Sequence, residues 1–259
     1  MAKGKPADVE EKEKRIMEKM SKIGKKIAVM SGKGGVGKSS VTAMLAVHFA
    51  KKGKKVGVFD TDFLGPSIPK LFGLEDARLG FTEEGMEPVT TKLGIRVMSI
   101  HFMLPSKEQP VIWRGPMIAK VLLEFLEKVH WGELDYLLFD LPPGTGDVPL
   151  TIMQSSKPDA IVVVTTPQDL AKEIVEKGVN MAIHLGVDEI HLIENMSYFK
   201  CPNCGHVSYI FGESKVSDLT LKYGLNAEAK IPINPEISEL GDAGRIEEIE
   251  VDYFDGMKL

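Results

Sequence analysis

The chain has 259 residues, of which 43% are hydrophobic, so it can bury the core of one large α/β domain or two small ones. Its net charge is -5 and it contains no sustained basic block, which argues against nucleic-acid binding through a cationic face. No segment approaches the roughly 20 apolar residues of a membrane-spanning helix, and the first residues are too charged for a secretory signal. We therefore expect a cytoplasmic protein with no membrane or nucleic-acid partner.

Residues 1–24 are dominated by Lys and Glu and predict a charged tail or frayed amphipathic helix, which we expect to be a solvated appendage. Residues 25–259 predict a single domain in which apolar strands alternate with helices. This alternation is typical of a doubly wound, mostly parallel α/β sheet covered by helices on both faces, a three-layer α/β/α fold. The predicted strands are 27–30, 55–60, 95–99, 134–140, 160–165 and 189–194, and the predicted helices are 39–52, 116–129 and 170–185.

A glycine-rich segment, SGKGGVGKSS, follows the first predicted strand and precedes a predicted helix. It satisfies the phosphate-loop pattern G-x-x-x-x-G-K-[ST], in which backbone N–H groups and the helix N-terminus bind phosphate oxygens. Lys38 is predicted to reach the β- and γ-phosphates, Ser39 to ligate Mg²⁺, and Ser40 to donate to phosphate. The predicted nucleotide-binding residues here are Gly32, Lys33, Gly34, Gly35, Val36, Gly37, Lys38, Ser39 and Ser40.

The second lysine of the loop, Lys33, comes one residue after its first glycine and cannot easily bend back over its own nucleotide. It could instead enter the site of a facing subunit and stabilise charge on the transferred phosphate. The alternative is an exposed lysine beside an anion site. The pattern K-G-G-x-G-K-[ST] resembles the deviant Walker A motif of the MinD, ParA and nitrogenase-iron-protein class, which implies that Lys33 acts across a nucleotide sandwich dimer.

Three carboxylates lie at the carboxyl ends of predicted strands. Asp60 and Asp62 come at the end of the second strand, where they could hold Mg²⁺ through water or orient the attacking water, although an Asp at this point also often caps a turn. Asp140 follows four apolar residues and is typical of the Walker B carboxylate that holds Mg²⁺. The resemblance to deviant Walker ATPases implies that Asp62 positions or activates water and that Asp60 assists the metal.

The two cysteines, Cys201 and Cys204, form a C-x-x-C turn. Two thiolates do not complete the four-ligand site of zinc or of an iron-sulfur cluster, but pairs from two chains would. His206 could add a third ligand. From the cysteines alone, zinc is at least as good an interpretation as a bridging cluster. A thioredoxin-like redox pair ranks third, because that motif usually opens a helix and the surrounding segment YFKCPNCGHVSYIFG does not predict one.

Several motifs together resemble the Mrp (ApbC) family of P-loop ATPases, which carry iron-sulfur clusters. They are GKGGVGKSS, DTDFLGPSIPKLFG, WRGPM, DYLLFDLPPGTGDVPLT, VTTPQDLA, ENMSYFKCPNCG and IPINPEI, spread from about residue 26 to about residue 244.

The Mrp resemblance implies ATP binding with slow hydrolysis and a homodimer. It also implies a [4Fe-4S] cluster shared by Cys201 and Cys204 of both subunits, transfer of that cluster to apoproteins, and an adenine contact at Asn195 with Pro232 in the same pocket. The alternatives are a positioning ATPase of the ParA or MinD kind and a zinc-clasped, nucleotide-dependent dimerisation switch.

Overall fold

The computed structural model describes residues 7–63, 65–104, 115–169, 172–214, 216–225, 227–257 and 259. Parts of three sequence motifs lie outside these residues, namely Leu64, the pair Trp113 and Arg114, and the predicted start of a helix at Leu170, as do residues 1–6 of the charged tail.

In the part of the chain that the structure describes, the strands form one large sheet and two small hairpins. They are β1 (Ile23–Ser31), β2 (Val56–Asp60), β3 (Gly80–Thr82), β4 (Gly85–Glu87), β5 (Val89–Thr90), β6 (Arg96–Ser99), β7 (Leu134–Asp140), β8 (Ala160–Thr165), β9 (Glu189–Glu194), β10 (Phe199–Lys200), β11 (Val207–Ser208) and β12 (Ala227–Lys230). The helices are α1 (Ala7–Met20), α2 (Lys38–Lys51), α3 (Ile68–Leu71), α4 (Gly115–Lys128), α5 (Asp147–Ser156), α6 (Lys172–His184), α7 (Val216–Tyr223) and α8 (Pro235–Asp242).

Within the described residues, the large sheet has the strand order β12-β9-β8-β1-β7-β2-β6-β5. All neighbours pair in parallel except β5, which runs antiparallel to β6 at the edge. Buried side chains form one core on each face of the sheet, with α4, α5 and α6 over one face and α2 over the other. The predicted doubly wound, three-layer α/β/α fold is confirmed.

For the most apolar strands, the sequence predicts the first and last residues correctly. Strands β7, β8 and β9 begin and end where the sequence pattern places them, because most of their residues are buried between the two helical layers. The sequence misses β12, whose residues AEAK include no β-branched or aromatic side chain. It also misses α5, which begins at Asp147 directly after the turn PPGTG.

The N-terminal segment forms the amphipathic helix that was one of its two expected structures, but the interpretation of it as a solvated appendage is wrong. Residues 7–20 form α1, which packs against α4 and α5. Its apolar face is buried in the core, where Ile16 and Met20 are only 1% and 3% exposed. On the polar face, Arg15 donates to Glu127 of α4 at 2.7 Å. Strand β1 then begins at Ile23, so the expected boundary after residue 24 falls inside a strand.

Replacement of Ile16 by Ala tests whether α1 belongs to the domain. We expect the free energy of unfolding to fall by about 2–4 kcal/mol, because the change removes buried methyl groups and leaves a cavity. Met17→Ala is the matched control, since Met17 is 48% exposed on the same helix and should change stability by only about 0.5 kcal/mol. Urea unfolding measures both variants, and equal stabilities would contradict the packing of α1.

Candidate functional site

The phosphate loop joins the carboxyl end of β1 to the start of α2. Gly35 and Gly37 have φ angles of +84° and +82°, in the left-handed region that glycine adopts without strain. The first amides of α2 have no partners within the helix, so they are free to bind an anion.

A cleft of about 250 Å³ opens above this loop. Of the predicted nucleotide-binding loop residues, those from Lys33 to Ser40 line the cleft, and Gly32 does not. Asp62, from the loop after β2, also lines it. Four lining residues were not predicted as site residues: Ser31, Ser67, Leu71 and Pro143. The sequence thus identifies the phosphate-loop residues that line the cleft. It misses most of the lining residues that come from other segments, such as Ser67, Leu71 and Pro143.

Asp140 lies at the centre of the site and is fully buried. Its carboxylate accepts hydrogen bonds from Ser39 Oγ and Thr42 Oγ1, both at 2.6 Å, and lies 2.7 Å from the ammonium of Lys38. Thr42 was not predicted; it stands one helical turn after Lys38, and its Oγ1 also lies 3.0 Å from the Lys38 carbonyl oxygen. Ser39 and Asp140 offer the hydroxyl and carboxylate oxygens that Mg²⁺ prefers, so the donor set suits that ion.

Asp60 and Asp140 are direct neighbours on the paired strands β2 and β7. Asp60 is buried, and its carboxylate accepts from the Asp62 amide at 3.2 Å and from Ser99 Oγ at 3.1 Å. Burial, and then the nearby Asp140 charge, raise the pKa of Asp60 well above its usual value. Asp62 instead is half-buried and faces the cleft, where its carboxylate accepts from the Gly65 amide at 3.3 Å.

The raised pKa of Asp60 predicts that this carboxyl lowers the free energy of unfolding at neutral pH relative to low pH. Such a carboxyl binds its proton more tightly when folded than when unfolded, so its contribution to stability is present at low pH. That contribution is lost as the pH rises from the unfolded pKa, about 3.9, through the higher folded pKa.

Asp60→Asn should therefore raise the free energy of unfolding of the protein without nucleotide or Mg²⁺ at pH 7, on the order of 1 kcal/mol. The gain should shrink towards pH 4. Asp62→Asn, at the half-buried neighbour, is the control, and urea titrations at several pH values measure the difference. A destabilised Asp60→Asn protein at pH 7 would contradict this account.

Asn195 follows β9 and lies against the phosphate loop. Its Nδ2 donates to the Val36 carbonyl at 2.9 Å, and a Cβ on Gly37 would lie 2.2 Å from that nitrogen, so Gly37 must lack a side chain. The second N–H and the Oδ1 of Asn195 can pair with an adenine edge. Pro232 follows β12, next to Ile231, which donates to the Glu194 carbonyl at 2.9 Å.

Cys201 and Cys204 lie in the turn of the hairpin formed by β10 and β11. The Cys201 amide donates to the His206 carbonyl at 2.9 Å, and Gly205 has a φ of +72°. Backbone amides of Cys204 and Asn203 donate to the Cys201 sulfur and lower the pKa of its thiol. Around the two sulfurs, the described residues form no group of three or more His, Cys, Asp or Glu ligand atoms within 4.8 Å of one another.

The sequence model of NUBPL, an iron-transfer P-loop NTPase, matches residues 22–253 of this chain. Iron-sulfur cluster carrier proteins of Aquifex aeolicus and Methanocaldococcus jannaschii are 49% and 47% identical to it, over 84% and 89% of its length. These matches span 60% and 80% of the two relatives, so the chain covers less than two thirds of the A. aeolicus protein. The chain belongs to the family of iron-transfer P-loop NTPases.

Solved structures agree with this family. A nucleotide-binding protein of Archaeoglobus fulgidus, solved in complex with ADP, is 53% identical with a TM-score of 0.88, and the match covers 95% of this chain and 97% of that one. The cell-division ATPase MinD of Pyrococcus furiosus, at 20% identity and a TM-score of 0.57 over 91% and 93% of the chains, shares the fold. The resemblance to the Mrp carriers and to the deviant Walker class is confirmed. No helix in the described part of the chain has the length and apolar character needed to cross a bilayer.

Proposed function

We propose that this iron-transfer NTPase is a homodimeric carrier that binds ATP, hydrolyses it slowly, holds a [4Fe-4S] cluster and passes that cluster to apoproteins. The observation that carries the proposal is the exposed C-x-x-C turn. It presents two thiols with amides directed at one sulfur, and the described residues around them do not complete a set of four ligands. The curated relatives are named iron-sulfur cluster carrier proteins. We place it in the cytoplasm, where reducing conditions keep both cysteines as thiols.

The nucleotide half of the mechanism uses the phosphate loop and the carboxylates beneath it. Amides of the loop and of α2 bind phosphate oxygens, and Lys38 leaves Asp140 to contact the β- and γ-phosphates. Ser39 and Asp140 would hold Mg²⁺, with Asp60 assisting, and the ion supplies neutralising charge to the phosphates. Asp62, which lines the cleft, positions the attacking water.

Lys33 makes ATP hydrolysis depend on a second subunit. Its side chain is exposed at the rim of the cleft, and its carbonyl is fixed by a 3.0 Å hydrogen bond from Ser31 Oγ. In a dimer closed over ATP, Lys33 of each subunit neutralises charge on the nucleotide of the other. Hydrolysis is then slow in the monomer and depends on closure.

The cargo site is completed in the same dimer. Two C-x-x-C turns supply four thiolates, the number that either a [4Fe-4S] cluster or zinc takes. Amides directed at a sulfur stabilise the thiolate that coordinates metal. A cluster held by two chains can be released when the chains separate, which a carrier requires, and this link to closure couples cluster affinity to the bound nucleotide.

Lys33→Ala tests the role of Lys33 across the dimer. We expect ATPase activity per chain to rise with protein concentration in the natural protein and to fall by about tenfold or more in the variant, because the transition-state charge loses its partner. ADP affinity should stay within about threefold, since the loop itself is intact. Lys54→Ala, at another exposed lysine, is the control. Natural activity in Lys33→Ala would contradict the proposed role.

Anaerobic reconstitution with iron and sulfide tests the cargo. We expect about four iron and four sulfide per dimer, with cluster absorption in the visible range. Cys201→Ala and Cys204→Ala should each abolish binding, whereas Asn203→Ala, which keeps the backbone amide, should retain it. Two iron and two sulfide per dimer would identify a [2Fe-2S] cluster instead. Zinc that resists replacement would contradict the carrier and favour a zinc-clasped dimerisation switch.

A further inference from the structure

A short turn connects the nucleotide site to the cysteine hairpin. Asn195 touches the phosphate loop, and Cys201 follows it by six residues, a span of at most about 20 Å. Backbone hydrogen bonds hold this segment along its length. The Asn195 amide donates to Thr165 at 2.8 Å, the Ser197 amide to Ile231 at 2.8 Å, and the Tyr198 carbonyl accepts from Ile233 at 2.7 Å.

Glu194 and Ser197 close the turn with their side chains. Both are buried, with exposures of 0% and 1%, and Ser197 Oγ donates to the Glu194 carboxylate. The other carboxylate oxygen of Glu194 has no hydrogen-bond partner among the described residues. Between them, Met196 adopts a φ of +56°, a left-handed conformation that is strained for a residue with a side chain.

Glu194 takes no part in the nucleotide chemistry derived above. Side chains alternate along β9, so Leu192 packs in the core on one face of the sheet and Ile193 in the core on the face of α2. Glu194 shares the face of Leu192, whereas Asn195 reaches the phosphate loop on the opposite face. A buried carboxylate and a strained residue are both costly, and they persist where the surrounding contacts determine a single conformation.

We propose that Glu194 and Ser197 are positioning residues that lock the turn 195–197, so that a nucleotide bound at Asn195 changes the position or mobility of the cysteine hairpin. This inference rests on the proposed function, because the cysteines are the cargo ligands there. With the lock formed, the segment from Asn195 to Cys201 responds to the nucleotide as one rigid unit. With the lock broken, Met196 relaxes and the response ends at the turn.

Ser197→Ala breaks the lock without touching the nucleotide or the cysteines. The experiment uses the full-length, cluster-free protein, with and without saturating Mg-ADP, and measures iodoacetamide alkylation at Cys204 by mass spectrometry and amide hydrogen exchange over residues 195–201. In the natural protein we expect ADP to change the alkylation rate by about threefold or more and to slow exchange across the segment. In Ser197→Ala, ADP should bind within about threefold of the natural affinity but change alkylation by less than about 1.5-fold.

Two changes at Glu194 separate the lock from a general loss of stability. Glu194→Met removes the acceptor with a side chain of similar length that suits burial, and it should lose the response as Ser197→Ala does. Glu194→Gln keeps an acceptor oxygen for Ser197 and should retain the response. Ser208→Ala on β11, in the same hairpin, is the matched control and should respond as the natural protein does.

The proposal is overturned if ADP leaves the natural cysteines unaffected, or if Ser197→Ala or Glu194→Met responds like the natural protein. It is also overturned if Glu194→Gln loses the response as fully as Glu194→Met. These outcomes are independent of cluster binding, because the assay uses free thiols. A failure to assemble a cluster would contradict the carrier function, but the coupling between the nucleotide and the hairpin would still be measurable.

Discussion

The carboxylate of Asp140 is the group on which the rest of the site depends. It is buried at the end of a central strand, and a buried charge is tolerated only where it is paired and hydrogen-bonded. Lys38, Ser39 and Thr42 meet this need, which draws the first two turns of α2 onto the strand edge and fixes the phosphate loop between them. In the proposed function, the phosphates would take Lys38 and Mg²⁺ would take Ser39 as a partner when the nucleotide binds.

The parallel sheet explains why the residues for both halves of the proposed function lie at one edge. Carboxyl ends of parallel strands meet at the same side, so β1, β2, β7 and β9 deliver the phosphate loop, Asp60, Asp140 and Asn195 to neighbouring positions. The cysteine hairpin continues directly from β9. A short, well-bonded connection is a physical route by which nucleotide binding can affect cargo binding.

The sequence predicts most of the sheet and the floor of the site, because apolar runs, the glycine pattern and strand-terminal Asp residues are local signals. It does not reveal that Ile16 and Met20 pack into the core, since their charged neighbours dominate the composition. It also misses Thr42, Ser99 and Ser197, whose roles depend on which strands are adjacent. The role of a Ser or Thr hydroxyl cannot be predicted from the sequence until the residue that it contacts is known.

The most direct test of the account is the rate at which the reconstituted protein delivers its cluster to an apoprotein that regains activity with a [4Fe-4S] cluster, measured with and without Mg-ATP. We expect Mg-ATP to change this rate by about fivefold or more. In Lys38→Ala, which lacks the ammonium that binds the phosphates, we expect no such change. Equal rates with and without Mg-ATP in the natural protein would contradict the coupling of nucleotide to cargo.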